Sequence, residues 1–218
     1  MSLIGGKRIA IGRAERVLKD DRFFVVAAED TYAPDQYFAG LAFPRVKVLV
    51  IPTVGESGLS APIHVVTRLK EASELLRQKE EIQADDEFWV MLDTDHHFQP
   101  NHIAGTIQAL KLAREAGFFL AVSNPCFELW LLLHHEELSP EVTFAKPADV
   151  EARLRQVLGG YNKTSIKAEQ FPFSSVPDAI RRARALESNP DDPVGLWPAS
   201  TGTRVYRLME RVMGGRSS

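Results

Sequence analysis

The sequence predicts an α/β chain: a mostly parallel four-stranded sheet with helices on both faces, followed by a C-terminal helical extension. Three observations carry that expectation. Short apolar runs of strand length alternate with segments of helical period, the pattern of parallel strands joined by crossover helices. The run 87–93 (EFWVMLD) ends abruptly in carboxylates at Asp93 and Asp95, and in such sheets reactive groups lie at the carboxyl ends of strands. Hydrophobic residues make up 44% of the 218, enough for a packed core and too many for general disorder.

Residues 22–28 (RFFVVAA) read as the first strand, ending at Glu29-Asp30, because aromatic and β-branched residues suit a half-buried pleated surface. Pro34 opens a short helix through residue 41. Residues 45–52 (RVKVLVIP) give a second strand stopped by proline, and Gly55-Glu56-Ser57-Gly58 a turn. Over 61–83, Val65, Leu69, Leu75, Leu76 and Ile82 recur at helical spacing, with Glu71, Glu74, Lys79, Glu80 and Glu81 on the wet face. After the third strand at 87–93, residues 100–116 form a helix that buries Ile103, Ile107, Leu110 and Leu112 and stops at Gly117. Residues 118–122 (FFLAV) are the fourth strand. Ser123-Asn124-Pro125 then starts a helix over 126–135, with Asn as its cap and Pro at its first position. That helix is apolar almost all round and is expected to be buried. Beyond a loop at 140–148, helices are expected at 149–158, 177–188 and 201–213, with a Pro/Asp-rich connector at 189–198. The organisation is thus an N-terminal extension (1–21), an α/β core (22–140) and a mostly helical region packed on it (141–218).

Composition excludes several classes. No apolar run approaches the length of a membrane span. Residues 1–21 carry interspersed charge and no apolar stretch, so no secretory leader is expected. One cysteine, Cys126, excludes an intrachain disulfide and fits a reducing, cytoplasmic setting. Residues 1–145 hold 14 Lys and Arg against 21 Asp and Glu, whereas residues 146–218 hold 12 against 8. An acidic region joined to a basic one suits a metal centre with a phosphate-binding flank, and is also within ordinary charge scatter. The sequence fixes no oligomeric state. It contains no P-loop, no Gly-x-Gly-x-x-Gly, no Gly-x-Ser-x-Gly and no His-Glu-x-x-His. Zinc is not expected, since His96-His97 and His134-His135 lack ligand spacing.

Alternation along a strand sends Asp93 and Asp95 to the same side, roughly 6–7 Å apart. Two like charges so placed repel, and a divalent cation with oxygen ligands is the natural compensation. The plainer alternative is an Asp that caps a helix or turns the chain. Glu29 also ends a strand, and the coincidence of three carboxylates at strand ends favours the cation. Glu128 sits in the first turn of the buried helix, where it needs a partner. Two readings stay open for it: a carboxylate bonded to backbone N–H groups or a neighbouring Arg, or a fourth acid of the site. Arg204, Arg207 and Arg211, three and four apart in the closing helix, form either a solvated face or a contact with a phosphate backbone.

The stretch Ser123-Asn124-Pro125-Cys126-Phe127-Glu128-Leu129-Trp130-Leu131-Leu132-Leu133-His134 resembles the RloB family, bacterial proteins associated with restriction-modification and phage-defence loci. Its flanks occur in the same order: Glu29 with Tyr37-Phe38 beyond it, Asp93-x-Asp95, Tyr161-x-Lys163, Ser200-Thr201, and Val205-Tyr206-x-Leu208. The resemblance spans about residues 22–213. It implies a divergent Toprim-like fold with a Glu after the first strand and Asp-x-Asp after a later one. By that likeness Glu29 is an acid/base carboxylate or metal ligand, and Asp93 and Asp95 bind Mg²⁺ or Mn²⁺. The chain departs from the family where Asp30 follows Glu29 in place of Gly, and where Pro34 replaces a further acid.

The activity implied is metal-dependent cleavage of a phosphodiester in nucleic acid, within a defence or restriction-modification-linked system. Glu29 or Glu128 would take the proton from the attacking water, and Lys163 would neutralise charge on the phosphate. Lys163, Arg204, Arg207 and Arg211 would bind the nucleic acid. Two other classes compete: a non-catalytic subunit that binds a separate ATPase or nucleic acid, and phosphoryl transfer on a small nucleotide.

Overall fold

A computed structural model of the chain describes residues 2–4, 7–9, 21–30, 32–53, 60–95, 98–187 and 195–214. The turn expected at Gly55-Glu56-Ser57-Gly58, the pair His96-His97 and most of the 189–198 connector lie outside them.

Two short strands, β1 (Ser2–Ile4) and β2 (Lys7–Ile9), pair antiparallel apart from the main sheet. The main sheet is built from β3 (Arg22–Ala28), β4 (Val46–Ile51), β5 (Glu87–Asp93) and β6 (Phe119–Asn124). These four are parallel, in the spatial order β4-β3-β5-β6. A fifth strand, β7 (Gly202–Thr203), joins the β6 edge antiparallel. The expectation of four strands is corrected accordingly: Gly202 and Thr203 fall inside the segment read as the start of the last helix. Ladder hydrogen bonds claim them because Asn124 extends β6 far enough to pair with Gly202.

On one face lie α2 (Pro62–Gln78) and α3 (Ile103–Glu115). They pack on Phe23, Val25 and Ala27 of β3 and on Phe88, Val90 and Leu92 of β5. On the other face lie α1 (Ala33–Ala39), α4 (Glu128–Leu133), α5 (Pro147–Leu158), α6 (Val176–Leu186) and α7 (Val205–Met213). They share a core with Phe24, Val26, Trp89 and Met91, so residues from both sides of position 140 are buried together. The strict alternation along β3 and β5 between these two cores is the period-2 signature of a strand covered on both faces.

Helix starts follow proline: Pro62, Pro147 and Pro177 each occupy the first turn of a helix, where the missing N–H is not needed. Helix stops follow glycine, since Gly117 and Gly159 have φ of 80° and 67°, a region glycine enters without steric penalty. Leu112 is exposed rather than buried, because the inward stripe of α3 runs through Thr106, Ala109, Leu110 and Ala113. None of the helices among the described residues is long and apolar enough to cross a membrane.

Candidate active site at the carboxyl ends of the strands

The order β4-β3-β5-β6 places the reversal of strand progression between β3 and β5. Open α/β sheets bind ligands outside the carboxyl ends at such a point. Glu29 follows β3 directly and Asp93 is the last residue of β5. The Glu29 N–H donates to Met91 O at 3.1 Å, so its backbone continues the ladder one step past the strand. The Asp93 N–H then donates to Glu29 Oε2 at 3.2 Å. Two acids 64 positions apart in sequence are thereby locked together.

Asp93 lies amid like charges. Burial first, and then Glu29, Glu128, Asp30 and Asp95, raise its carboxyl well above the ordinary 3.8. All five acids therefore share one electrostatic environment. Asp95, however, lies beyond the end of β5, so strand alternation does not aim it. The chain has already turned at Thr94, whose N–H donates to Ser123 O and Pro125 O at 2.9 and 3.1 Å.

Asn124 does not cap a helix. It is the last residue of β6, its peptide bond to Pro125 is cis, and its Nδ2 donates to Pro198 O. The helix begins only at Glu128, with no side-chain cap, because Asn124 is still held by the sheet. Glu128 is 2% exposed. Its partners are neutral donors: Tyr161 OH at 3.2 Å to Oε1, and the Cys126 thiol. Burial pushes its carboxyl up, partly offset by the charge of Lys163. The thiol in turn is pushed up by its burial and by Glu128 and Asp93.

Asp30 completes the rim. Its Oδ1 accepts the N–H groups of Tyr32 and Ala33 at 2.6 and 3.0 Å, at the start of α1, and Lys163 Nζ lies 2.9 Å from Oδ2. Against the cost of burial, Lys163 and the two N–H groups hold this carboxyl below its usual range. Beneath Glu29 lies Arg68 of α2, whose Nη2 donates to Ala28 O and to Thr53 Oγ1 at 3.2 and 2.5 Å. Burial lowers its pKa, opposed by Glu71 and Glu29. Sequence reasoning passed over Arg68. The available signal was its place three residues after Val65 and one before Leu69, which turns it inward with the apolar stripe.

The arginines of the last helix do not form one solvated stripe. Arg204, just ahead of α7, is paired with Glu187 at 2.7 Å, and both side chains are 6% exposed. Arg207 meets the same Glu187 at 3.1 Å. Arg211 meets Glu87 at 2.8 Å and lies over the Phe119 ring. Arg204 is therefore withdrawn from solvent by its buried carboxylate partner, which removes it as a surface contact for nucleic acid. His134, also inward, receives Tyr37 OH at Nε2 and meets Ser175 Oγ at Nδ1, and burial lowers its pKa to about 3.

The donor set at the rim is hard carboxylate oxygen, the kind Mg²⁺ and Mn²⁺ take. The mutual repulsion felt at Asp93 is of the sign a cation relieves. Yet each of Glu29, Asp30 and Glu128 already has an internal partner. Among the described residues no three His, Cys, Asp or Glu side chains converge as a ready-made cage.

No curated protein and no solved structure matches the chain. The family model described as RloB-like protein matches residues 24–212. That match runs through every element that builds the rim, from β3 to α7, and the chain belongs to the RloB-like family.

Proposed function

We propose that this chain is a Toprim-like, metal-dependent phosphodiesterase acting on nucleic acid in a defence or restriction-modification-linked system. The observation that carries the reading is the Asp93 N–H to Glu29 Oε2 contact at the point where strand order reverses, surrounded by Asp95, Asp30 and Glu128. Asp93 and Asp95, with Glu29, would hold Mg²⁺ or Mn²⁺, and when bound that cation supplies Lewis-acid polarisation of a phosphoryl oxygen. Glu29, oriented by the Asp93 N–H, takes the proton of the attacking water at its carboxylate. Burial raises the Glu128 carboxyl, so it holds a proton more readily than an exposed glutamate. Lys163 is half exposed and offers its ammonium to the phosphate as negative charge grows. Arg207 and Arg211, paired with Glu187 and Glu87 at the amino-terminal ends of the strands, lie away from this rim and leave Lys163 as the basic contact there.

The test is cleavage of fluorescent DNA and RNA by the purified protein in Mn²⁺. Cleavage that persists unchanged in Glu29→Gln or Asp93→Asn removes these residues from the mechanism. A second reading, a non-catalytic module that binds a separate ATPase, is favoured by the internal partners that Glu29, Asp30 and Glu128 already have. Copurification with such a partner, together with no Mn²⁺ affinity, would select it.

A further inference from the structure

The Lys163 ammonium reaches the rim from a segment with no regular secondary structure, residues 161–166. It lies 2.9 Å from Asp30 Oδ2 with 43% of its side chain exposed, and its charge also bears on Glu128. Two residues earlier, Tyr161 OH engages Glu128 Oε1. The segment is fastened to α1 by one amide: Gln36 Nε2 donates to Lys163 O at 3.3 Å, and Gln36 Oε1 accepts the Ile166 N–H at 2.9 Å. A single strap thus holds two of the five acids, and its lysine brings a positive charge into the cluster.

We propose that this strap and a divalent cation are alternative occupants of the acidic rim, with Lys163 the resting counter-ion that must leave Asp30 before the carboxylates close on a metal. The inference rests on the metal-dependent reading above. Electrostatics supplies the reason. A tethered ammonium lowers the negative potential that draws a dication, so the two compete although they need not touch the same oxygen. The same competition ties the metal to the substrate. An incoming phosphodiester attracts Lys163 away from Asp30 and so tightens metal binding, and by linkage bound metal tightens the hold on the phosphodiester. The site then assembles fully only when both are present, which keeps the rim from forming an idle metal centre when no phosphodiester is bound.

The experiment is calorimetric titration of Mn²⁺ into the full chain and three variants, in the absence of nucleic acid, with thermal melts to verify folding. Lys163→Gln should bind Mn²⁺ roughly three-fold more tightly or better, the scale of a half-exposed charge contact acting on a dication. Gln36→Ala, which loosens the strap and changes no charge, should shift affinity in the same direction by less. Lys167→Gln, which removes an exposed charge nearby on the chain, should leave it unchanged. Equal or weaker binding by Lys163→Gln, weaker binding by Gln36→Ala, or an equal gain in Lys167→Gln overturns the proposal while the metal-dependent reading stands. Binding by Lys163→Gln but not by the unaltered chain is its strongest confirmation. Absence of binding in both overturns the proposal and the metal-dependent reading together.

Discussion

The two ends of the sheet handle charge in opposite ways. At the carboxyl ends of β3 and β5, burial and four further acids around Asp93 raise its carboxyl well above 3.8. At the amino-terminal ends of β5 and β6, a cavity of about 680 Å³ is lined by Arg114, Arg184, Arg204, Arg207 and Arg211. There Glu87, Glu187 and Glu210 each hold at least one of those guanidinium groups. Both regions are dense in charge, but the first gathers charges of one sign around Asp93, whereas in the second four of the arginines are held in opposite-charge pairs. Balanced pairs fix structure, whereas unbalanced groups at a strand-order reversal are where chemistry is expected.

That contrast is broken or sharpened by substitution, and the largest effect is expected at the acidic end. Glu29→Gln should lower Mn²⁺-dependent cleavage by about 10²–10⁴-fold, the range of a lost general base. The fold should remain intact by circular dichroism; a variant as active as the parent would make the acidic end as structural as the basic one. At the basic end, Glu187→Ala should cost about 3–5 kcal/mol in denaturant unfolding, because the Arg204 guanidinium is left buried without its partner.

Acid titration divides the molecule further. His134 has a folded value of about 3 against an ordinary 6.5, so the unfolded chain binds its proton first. Its contribution is present above pH 6.5 and is lost as pH falls toward 3, about 2 kcal/mol between pH 7 and pH 5. Asp93 works with the opposite sign. Its raised folded value makes it destabilising at neutral pH, a penalty relieved as pH falls through that value toward 3.8. Stability measured against pH should therefore fall more steeply on acidification in Asp93→Asn than in the parent, and less steeply in His134→Gln. The smallest effect belongs to Arg211→Ala, whose pair with Glu87 is half exposed and should contribute about 0.2–1 kcal/mol.

Much of this arrangement was legible in the residues. Apolar runs of strand length gave β3, β4 and β5, and the acids at the ends of β3 and β5 marked the rim, because run length and strand-end position are local properties. Glu128 was legible as anomalous, a carboxylate in a helix otherwise apolar, although its partners Tyr161 and Cys126 were not. The pairing of Glu187 with Arg204 escaped sequence reasoning, as did the Gln36 clasp on the strap, since both join segments whose approach is set by packing. Asn124-Pro125 misled for a definite reason. The dipeptide carries a helix-start signature, but the sheet competes for Asn124 and holds it. Likewise Gly202-Thr203 is too short for a period to show.

The last strand has a consequence for biosynthesis. Ser123 on β6 bonds Thr203 on β7, and 80 positions separate them. At roughly 5–20 residues per second, translation leaves the outer edge of β6 without its neighbour for about 4–16 seconds. During that interval the end of β6 at Ser123 and Asn124 is an open edge that another chain can meet. Expression should therefore reward slow crowding, low temperature or a chaperone that shields the open edge until the closing residues emerge.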